Sequence, residues 1–541
     1  MPVTATWQSP LRFPEAAAIT DPTPTLLDRV TRADPARVLV VDGAAGLTGA
    51  ALRAAVAASQ ARLRAAGVGR GDVVCVQLPN WWEAVALAHA VWGLGATLCP
   101  VPVNYRVAEV SAILAAVPVA AIVAPAEYRG TAYRPLLDGA MERAGVRVPL
   151  LTVRAPGHPA SFYEFEKGSD PERGPEPGSR TDPELDADLD AVCLLMFTSG
   201  TTGRPKGVLH SHRTLLADAR SIAGLYRMDG DRVYMPSPVG HVTGLVYGVM
   251  MPLLMGGSCV LQAEWDAAAG AALVEQHGCT VCVGATPFLR GLTDEYTRRG
   301  QPSALRAFIC GGADVPPTLV REAERALGGT VARAYGLTEM PTVTCGGPDD
   351  PEAIRAGTDG RLTGTSQARL AAGSDGDTGE LEVRGPELCL GYLDPADTAA
   401  AFTADGWFRT GDLARLGPDA DVTIVGRAKD IVVRGGENIS MKEVEDYLAA
   451  HPRVADVAIV GVPDDVLGER ACAFVVPRDG GAPTLPELAG YLAGQGIARH
   501  KLPEYLLIVD AFPRTLSGKI QKFVLRQQAA GLLAAGHGER R

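Results

Sequence analysis

Residues 191–207, AVCLLMFTSGTTGRPKG, join an apolar run to a loop rich in glycine and hydroxyl side chains. The run from 191 to 197 predicts a buried strand, and Thr198 begins the loop that follows it. Glycines allow backbone N–H groups to converge on an anion, hydroxyls add donors, and Lys206 adds a mobile positive charge. The loop is not a Walker A motif, because Arg-Pro separates its last glycine from Lys206. The stretch therefore predicts a phosphate-binding loop of another class.

Lysine is rare in this chain, since the 51 basic residues include only seven lysines. A chain that otherwise uses arginine keeps lysine where a flexible point charge is needed. Lys206 and Lys519 both lie near glycines and hydroxyl side chains, so we interpret them as functional, although most lysines are solvated surface residues. The seven are Lys167, Lys206, Lys429, Lys442, Lys501, Lys519 and Lys522.

Length and composition favour a large globular enzyme. With 541 residues, the chain is too long for one simple core and predicts at least two domains. A formal net charge of −11 argues against nucleic acid or an anionic membrane as the main partner. The ten cysteines are scattered and the N-terminal sequence does not resemble a secretory signal, so we expect reduced thiols and a cytoplasmic location.

Two further features have structural interpretations. The long apolar stretch Ala84–Val103 is interrupted by histidine, glycines and proline, so it predicts a buried helix running into a strand and not a membrane span. Cys279 and Cys282 have CxxC spacing, but they lack a second pair and lie in an apolar setting. They therefore predict two buried residues and not a zinc half-site.

The order of predicted elements divides the chain. Alternating patterns such as the helix Thr48–Ala66 and the strand Asp72–Leu78 predict a parallel sheet covered by helices. Residues 155–190, rich in Pro, Gly, Asp and Glu, predict a surface excursion. From Thr378 the predicted strands are shorter, and beyond Arg427 the pattern fits a compact α+β domain of about 110 residues.

Four more segments carry residues suited to chemistry. Each alone is weak, because Glu339 fits a surface carboxylate, Asp412 a turn residue beside a glycine, and Lys519 the tip of a flexible tail. The segments are YGLTE (335–339), TGDL (410–413), the stretch 426–438 and the stretch 513–520.

Taken together and in this order, the motifs resemble the adenylate-forming superfamily, which joins acyl-CoA synthetases, firefly-type luciferases and peptide-synthetase adenylation domains. The resemblance covers essentially the whole chain. The matching motifs are LPN (78–80) with GA (95–96), TSGTTGRPKG (198–207), GGAD (311–314), YGLTE, TGDL, GRAKDIVVRGGENI (426–439) and PRTLSGKIQK (513–522).

The resemblance is to the acyl-CoA synthetase branch of this superfamily. It implies an α/β fold. Residues 1–426 would form a large N-terminal domain of helix-covered, mostly parallel sheets plus a β-rich subdomain. Residues 427–541 would form a small mobile C-terminal α+β domain, with a hinge near Arg427–Asp430. The implied reaction uses ATP and Mg²⁺ to activate a hydrophobic monocarboxylic acid as acyl-AMP, with release of pyrophosphate. The acyl group then passes to coenzyme A and AMP leaves.

The resemblance also implies roles for single residues. Lys519 would bridge carboxylate and phosphate oxygens, Thr338 would meet the α-phosphate, and Glu339 would coordinate Mg²⁺. Tyr335 would stack on adenine, and Asp412 would bind both ribose hydroxyls. The residues implied for the triphosphate are Thr198, Ser199, Gly200, Thr201, Thr202, Gly203 and Lys206. Those implied for adenosine are Gly312, Ala313, Asp314, Tyr335, Gly336, Asp412 and Arg427.

The second half-reaction implies a moving domain. A thiol can attack only after Lys519 withdraws, and the resemblance places the hinge at Lys429. Gly435, Gly436 and Glu437 would then face the site and leave room for a pantetheine arm. An ordinary tight turn is the alternative interpretation of the two glycines.

The resemblance places the acid pocket at residues 238–244, 284–288, 309–311 and 340–342. His241 would contact the acid as a catalytic or wall residue, although a lone histidine is more often structural. Gly240 stands where many relatives carry a bulky aromatic, which suggests a roomier pocket or entrance. Residues 236–244 contain no aspartate to pair with an ammonium group, which weakens an amino-acid substrate. We expect an acid between medium-chain and alicyclic, aromatic or polycyclic.

Two alternatives remain open at this point. One is a stand-alone adenylating enzyme that loads the acyl group onto a separate carrier protein. The other is a degenerate nucleotide-binding scaffold, which the presence of Lys206, Glu339, Asp412 and Lys519 argues against. The expected partners are the carboxylic acid, ATP and CoA, without nucleic acid or integral membrane association, and a homodimer is left open.

Overall fold

The structure is a computed structural model in which helices cover two large, mostly parallel sheets, followed by two smaller sheets along the chain. It describes residues 19, 22–154, 188–198, 205–313, 315–372, 378–427, 431–434, 437–464, 467–478, 481–495, 497–514, 519–536 and 538–540. The predicted excursion at 155–190 lies almost entirely outside these residues.

The first sheet carries the chain's longest series of parallel strands. Its central strands are parallel, and antiparallel strands close both edges. From edge to edge the strands are Arg361–Leu362, Met340–Cys345, Thr330–Leu337, Ala307–Gly311, Val281–Gly284, Arg232–Met235, Ser258–Leu261, Val38–Asp42 and Ala45–Thr48.

The second sheet contains the strand that leads into the glycine-threonine loop. Its strands are parallel except at the edge where Val192–Thr198, Lys206–Ser211 and Gly391–Tyr392 pair in antiparallel fashion. The order is Gly391–Tyr392, Lys206–Ser211, Val192–Thr198, Thr97–Pro100, Val73–Val76, Ala121–Pro125 and Leu150–Val153. A small hairpin pairs Glu127–Tyr128 with Thr131–Ala132.

Helices pack on both sheets. Helix Trp82–Gly93 is buried along nearly its whole length and shares one core with side chains of both sheets, which explains its almost unbroken apolar sequence. The α-helices of this part are Thr23–Ala33, Gly49–Ala65, Trp82–Gly93, Val107–Ala116, Tyr133–Ala144, His212–Leu225, Val242–Gly244, Met251–Leu254, Ala267–His277, Thr286–Arg299, Pro317–Leu327, Glu352–Arg355 and Pro395–Ala401, with a π-helical turn at Leu245–Met250.

A third, antiparallel sheet forms the β-rich part that the shorter strand patterns predict. Its strands are Gln367–Leu370, Thr378–Arg384, Phe408–Leu416 and Val422–Arg427. Its core is continuous with Val208 of the second sheet and Met340 of the first, so it packs beside both.

The C-terminal sheet begins after Arg427. Helices cover it and two apolar cores flank it, as expected for a compact α+β unit. Its strands are Ile431–Arg434, Glu437–Ser440, Val454–Asp464, Gly468–Pro477, Tyr505–Ile508 and Glu539–Arg540, and its helices are Met441–Ala449, Leu485–Gly494 and Lys522–Ala534, with a 3₁₀ turn at Arg499–Lys501. The predicted fold class is confirmed.

The predicted helix and strand of the apolar stretch and the predicted burial of Cys279 and Cys282 are also confirmed. Ala84–Val103 runs from a buried helix into the strand Thr97–Pro100. Among the described residues, no helix is both long enough and apolar enough to cross a membrane. All ten cysteines lie within the described ranges, where each is buried and none forms a disulfide, Cys279 and Cys282 included.

Candidate active site

The carboxyl ends of the parallel strands in the first sheet gather the predicted acid-pocket segments. Strands Arg232–Met235, Val281–Gly284 and Ala307–Gly311 neighbour one another, so the residues that follow them meet at one edge. Open α/β sheets bind ligands at such an edge. The strand Met340–Cys345 supplies the fourth predicted segment from the antiparallel margin.

The YGLTE motif forms the hairpin that connects Thr330–Leu337 with Met340–Cys345. The pairing shifts register between Tyr335 and Leu337, and Gly336 lies at this irregularity. A Cβ on Gly336 would lie 1.9 Å from the Pro341 carbonyl oxygen, so only glycine permits this backbone approach. Thr338 and Glu339 occupy the turn, half-buried.

His210 anchors that turn from the second sheet. Its Nε2–H donates to the Thr338 carbonyl oxygen over 2.8 Å, and its Nδ1 lies 2.9 Å from the Thr214 hydroxyl. Burial lowers the pKa of His210 to about 4, while its bond to Thr338 opposes that shift, so the ring is neutral at pH 7. Sequence reasoning did not identify His210.

Asp412 is buried and lies between Tyr335 and Arg427, two residues that are also predicted to bind adenosine. The Tyr335 hydroxyl donates to Asp412 Oδ2 over 2.6 Å, and Arg427 Nε donates to Asp412 Oδ1 over 2.9 Å. Burial, and then the Asp412 charge, raise the pKa of Tyr335 well above its usual value, so the phenol stays protonated. Each carboxylate oxygen keeps further lone-pair capacity, which two ribose hydroxyls can use.

Lys519 reaches this group from the C-terminal unit. The residue as a whole is exposed, but its ammonium lies among protein atoms, where burial and then Arg427 lower its pKa. Asp412 and Glu339 oppose that shift, which places Lys519 within the electrostatic range of both carboxylates. Lys519 is therefore not the tip of a detached tail.

His241 lies in the predicted acid-pocket wall. Its Nε2 is buried and has no hydrogen-bond partner among the described residues. Burial, and then the Lys519 charge, lower the pKa of His241 to about 4, so the imidazole is neutral at pH 7. A buried ring nitrogen without a partner is costly, and a polar group of a bound substrate would satisfy it.

The ends of the glycine-threonine loop lie on paired strands. Thr198 pairs with Lys206, and the Thr198 hydroxyl donates to the Lys206 carbonyl oxygen at 3.5 Å. The Lys206 ammonium lies 3.0 Å from Asp397 Oδ1 and 5.1 Å from the centre of the Tyr392 ring. The Tyr392 hydroxyl in turn donates to Glu339 Oε1 over 2.6 Å.

The structure thus brings Lys206, Thr338, Glu339, Asp412 and Lys519 to one region. Gly312 and Ala313 follow the strand Ala307–Gly311 at the same edge, and Glu437 begins a strand of the C-terminal sheet. The predicted residues that lie outside the described ranges are Ser199, Gly200, Thr201, Thr202, Gly203, Asp314, Lys429, Gly435 and Gly436.

The arrangement suits a magnesium nucleotide. Mg²⁺ prefers oxygen ligands and in phosphate-transfer sites takes one or two carboxylates plus substrate phosphates, which a lone Glu339 fits. Within the described residues, no cluster of three or more His, Cys, Asp or Glu side chains forms a closed metal site. Lys519 lies within electrostatic range of Arg427 and Glu339, and Tyr392 contacts both Glu339 and Lys206, so three cations lie around Glu339, as a polyphosphate requires.

Two family models match this chain. The AMP-binding enzyme family matches residues 27–393, and the AMP-binding enzyme C-terminal domain matches residues 443–519. The chain is 33% identical over 512 residues to the medium-chain fatty-acid–CoA ligase of Escherichia coli K12, covering 92% of this chain and 89% of that protein.

A second curated relative is the 3-[(3aS,4S,7aS)-7a-methyl-1,5-dioxo-octahydro-1H-inden-4-yl]propanoyl:CoA ligase of Rhodococcus jostii RHA1, 34% identical over 94% of this chain and 98% of that protein. The crystal structure of ATP-bound MatB from Rhodopseudomonas palustris superposes with a TM-score of 0.80 at 27% identity, covering 94% of this chain and 99% of that one. The chain belongs to the AMP-binding enzyme family and is an AMP-forming ligase of its acid–CoA branch.

Proposed function

We propose that this protein ligates a hydrophobic monocarboxylic acid to coenzyme A through an acyl-AMP intermediate. The observation that carries the proposal is the convergence of Lys519 with Asp412, Arg427 and Glu339 across the seam between the third sheet and the C-terminal unit. A positive charge brought from a separate unit to two carboxylates and a guanidinium suits an anionic ligand between them.

The first half-reaction joins two anions. A carboxylate oxygen of the acid attacks the α-phosphorus of ATP, the new O–P bond forms, and the bond to the bridging oxygen of pyrophosphate breaks. Lys519 would offset the charge that develops on the acid and phosphate oxygens, and Thr338 would contact the α-phosphate. Mg²⁺, when held by Glu339, would supply charge that offsets the phosphates.

Adenosine would be held at the hairpin and Asp412. Tyr335 and Arg427 already orient the Asp412 carboxylate by direct hydrogen bonds, so it would meet the ribose hydroxyls without rearranging. The neutral His241 would hydrogen-bond the acid carboxylate through its buried Nε2. These roles, like those of the loop residues outside the described ranges, are part of the proposal.

In the second half-reaction, the CoA sulfur attacks the acyl carbon, the C–S bond forms, the bond to AMP breaks, and the thiol loses its proton. We place the mobile domain at 427–541 with a hinge at Arg427–Asp430. In support, Val422–Arg427 ends the third sheet and Ile431–Arg434 begins the C-terminal sheet, so few residues connect the two. Gly435, Gly436 and Glu437 would face the site after rotation.

A hydrophobic acid is favoured by the relatives and agrees with the apolar residues beside Gly240. The space beside Gly240 is apolar, with Val239, Leu245 and Val249 among its lining residues. That cavity has a volume of about 20 Å³, and a Cβ on Gly240 would lie 3.4 Å from Pro102 Cα. The predicted gain in room at Gly240 is therefore small in this structure. The ligases from Escherichia coli and Rhodococcus jostii are named for a fatty acid and a ring-bearing propanoic acid.

A separate carrier protein is the alternative acceptor. A cytoplasmic location and a homodimer are further predictions of this proposal. The acyl acceptor can be identified by experiment, because free CoA and a carrier protein give different products.

A pyrophosphate-release assay tests the proposal directly. The purified protein would be incubated with ATP, MgCl₂ and a panel of medium-chain, alicyclic, aromatic and polycyclic acids, with and without CoA. We expect acid-dependent pyrophosphate release and, with CoA, an acyl-CoA detectable by mass spectrometry. Release of pyrophosphate without any thioester from free CoA would favour the carrier-protein alternative. A panel in which no acid releases pyrophosphate from ATP would contradict the assignment.

A further inference from the structure

The short segment 389–393 lies between two groups of the proposed site that are distant in sequence. On one side, the Cys389 N–H donates to the Glu339 carbonyl oxygen over 2.8 Å. On the other side, Leu390 N–H donates to Leu209, and Leu393 N–H donates to Gly207 over 2.7 Å. The segment is therefore bonded through its backbone to both the Glu339 turn and the strand that carries Lys206.

Gly207 makes the second attachment possible. A Cβ at this position would lie 2.8 Å from Leu195 Cδ1 and 3.1 Å from Leu393 Cβ, closer than a side chain tolerates. Glycine at the end of the TSGTTGRPKG motif thus lets segment 389–393 close onto the strand. Packing against this segment, and not only the conformation of the loop, therefore explains why glycine ends the motif.

Tyr392 lies at the centre of the segment and is 5% exposed. Its hydroxyl donates to Glu339 Oε1 over 2.6 Å, and its ring faces the Lys206 ammonium at 5.1 Å from the centroid. One rigid side chain therefore contacts both the proposed magnesium ligand and the proposed triphosphate lysine. Asp397, on the helix Pro395–Ala401, pairs with the same ammonium at 3.0 Å.

The local fold fixes Tyr392 in turn. Its backbone N–H donates to the Thr398 hydroxyl over 2.8 Å, and the Asp394 side chain caps the helix that carries Thr398 and Asp397. A tyrosine with two torsions, buried and held at its backbone, loses little entropy when it orients a carboxylate. Its hydroxyl occupies Glu339 Oε1 from one side and leaves the rest of the carboxylate for a ligand.

We propose that Tyr392 is a positioning residue that sets the Glu339 carboxylate for Mg²⁺ and the Lys206 ammonium for the triphosphate. The inference rests on the proposed function, because Glu339 and Lys206 need to be fixed relative to each other only if one Mg²⁺–nucleotide contacts both. Groups that orient a metal ligand commonly change metal affinity on the order of tenfold to a hundredfold when removed. For Tyr392→Phe we expect a change in metal affinity at the lower end of this range, since the ring remains and keeps its contact with Lys206.

The test measures ATP binding by calorimetry, without acid and therefore without turnover, over a series of MgCl₂ concentrations. In Tyr392→Phe, the Mg²⁺ concentration at half-maximal ATP affinity should rise about tenfold. Tyr296→Phe is the matched control, because it removes a tyrosine–glutamate bond of 2.7 Å to Glu275, and the two helices that carry this pair contain no proposed nucleotide or Mg²⁺ ligand. Both variants should lose similar thermal stability, but only the first should change the Mg²⁺ requirement.

A double-mutant cycle with Glu339→Gln separates positioning from general damage. If Tyr392 acts through Glu339, adding Tyr392→Phe to Glu339→Gln should change the Mg²⁺ requirement no further. An unchanged Mg²⁺ midpoint in Tyr392→Phe, or effects of the two variants that simply add, overturns this inference alone. A wild-type protein that binds no ATP at any Mg²⁺ concentration overturns the proposed function and this inference with it.

Discussion

A buried carboxyl behind the proposed acid pocket gives a prediction about pH. Asp218 lies on helix His212–Leu225 and is 0% exposed. Its Oδ1 accepts from the Thr342 N–H over 2.7 Å, and its Oδ2 lies 2.6 Å from the Tyr247 hydroxyl, which also bonds the Thr342 hydroxyl. Burial, and the nearby charge of Glu387, raise the pKa of Asp218 to about 8, although the bonds from Tyr247 and Thr342 oppose this shift.

The sign of the pH effect follows from that raised pKa. An unfolded aspartate titrates near ~3.9, so folding favours the protonated form of Asp218. The stability that this group contributes is complete below about pH 4 and is lost as the pH rises through about 8. The slope is about 1.4 kcal/mol per pH unit and flattens close to the folded pKa. Between pH 6 and pH 8 the wild type should therefore lose about 2 kcal/mol through this residue.

Asp218→Asn removes that loss, because an amide can occupy the protonated carboxyl's place and keep both hydrogen bonds. The free energy of unfolding of the variant minus that of the wild type should grow by about 2 kcal/mol from pH 6 to pH 8. Urea unfolding followed by tryptophan fluorescence suits this measurement, since all six tryptophans precede residue 427 and therefore lie on the same side of the proposed hinge as Asp218.

Asp231→Asn is the matched control for this experiment. Burial raises the pKa of Asp231, but the Arg306 guanidinium outweighs burial and keeps this pKa below its usual value. The charge of Asp231 is therefore constant between pH 6 and pH 8. Its substitution should shift stability by the same amount at every pH in that range. Parallel curves for Asp218→Asn and the wild type would refute the reasoning, because Asp218 would then be charged or uncharged throughout.

Two predictions concern the half-reactions. Lys519→Ala should lower acyl-AMP formation by about 10²-fold to 10³-fold, the cost of removing one transition-state charge partner, while thioester formation from supplied acyl-AMP continues. Equal loss of both steps, measured by pyrophosphate release and by acyl-CoA formation, would contradict that division. Lys429→Pro stiffens the proposed hinge, so pyrophosphate release should persist while acyl-CoA formation stops. Unaffected overall turnover in this variant would count against a rotating domain.

Much of the fold can be predicted from sequence because its strands are short apolar runs bounded by turn residues. The predicted strand Asp72–Leu78 forms as Val73–Val76, and the predicted helix Thr48–Ala66 forms as Gly49–Ala65. Parallel strands that are buried on both faces need apolar side chains on both faces, so their sequences are continuous apolar runs. The change of pattern predicted beyond Arg427 also falls where one sheet ends and another begins.

The partners of the site residues could not be predicted in the same way. His210 bonds Thr338 across 128 positions, Asp218 bonds Thr342 across 124, and Tyr392 bonds Glu339 across 53. Nothing near Tyr392 in sequence sets it apart from other buried tyrosines. Its proposed role depends on the pairing of Gly391–Tyr392 with the strand that follows the glycine-threonine loop, and such long-range pairing depends on the whole fold.

The acidic composition of the chain and its polyanionic substrate are compatible because charge is arranged locally. Asp397 lies against Lys206, and Asp412 lies against Arg427, with Lys519 within range of Asp412 and Glu339. Lys206 and Arg427 are thus each paired with a carboxylate before any phosphate arrives, and Lys519 feels the charge of two, which lowers the cost of collecting like charges in one half-buried space. Binding of ATP would exchange part of this carboxylate contact for phosphate contact, so the cations need little reorientation. A net charge of −11 therefore excludes broad attraction to polyanions and says little about one preorganised site.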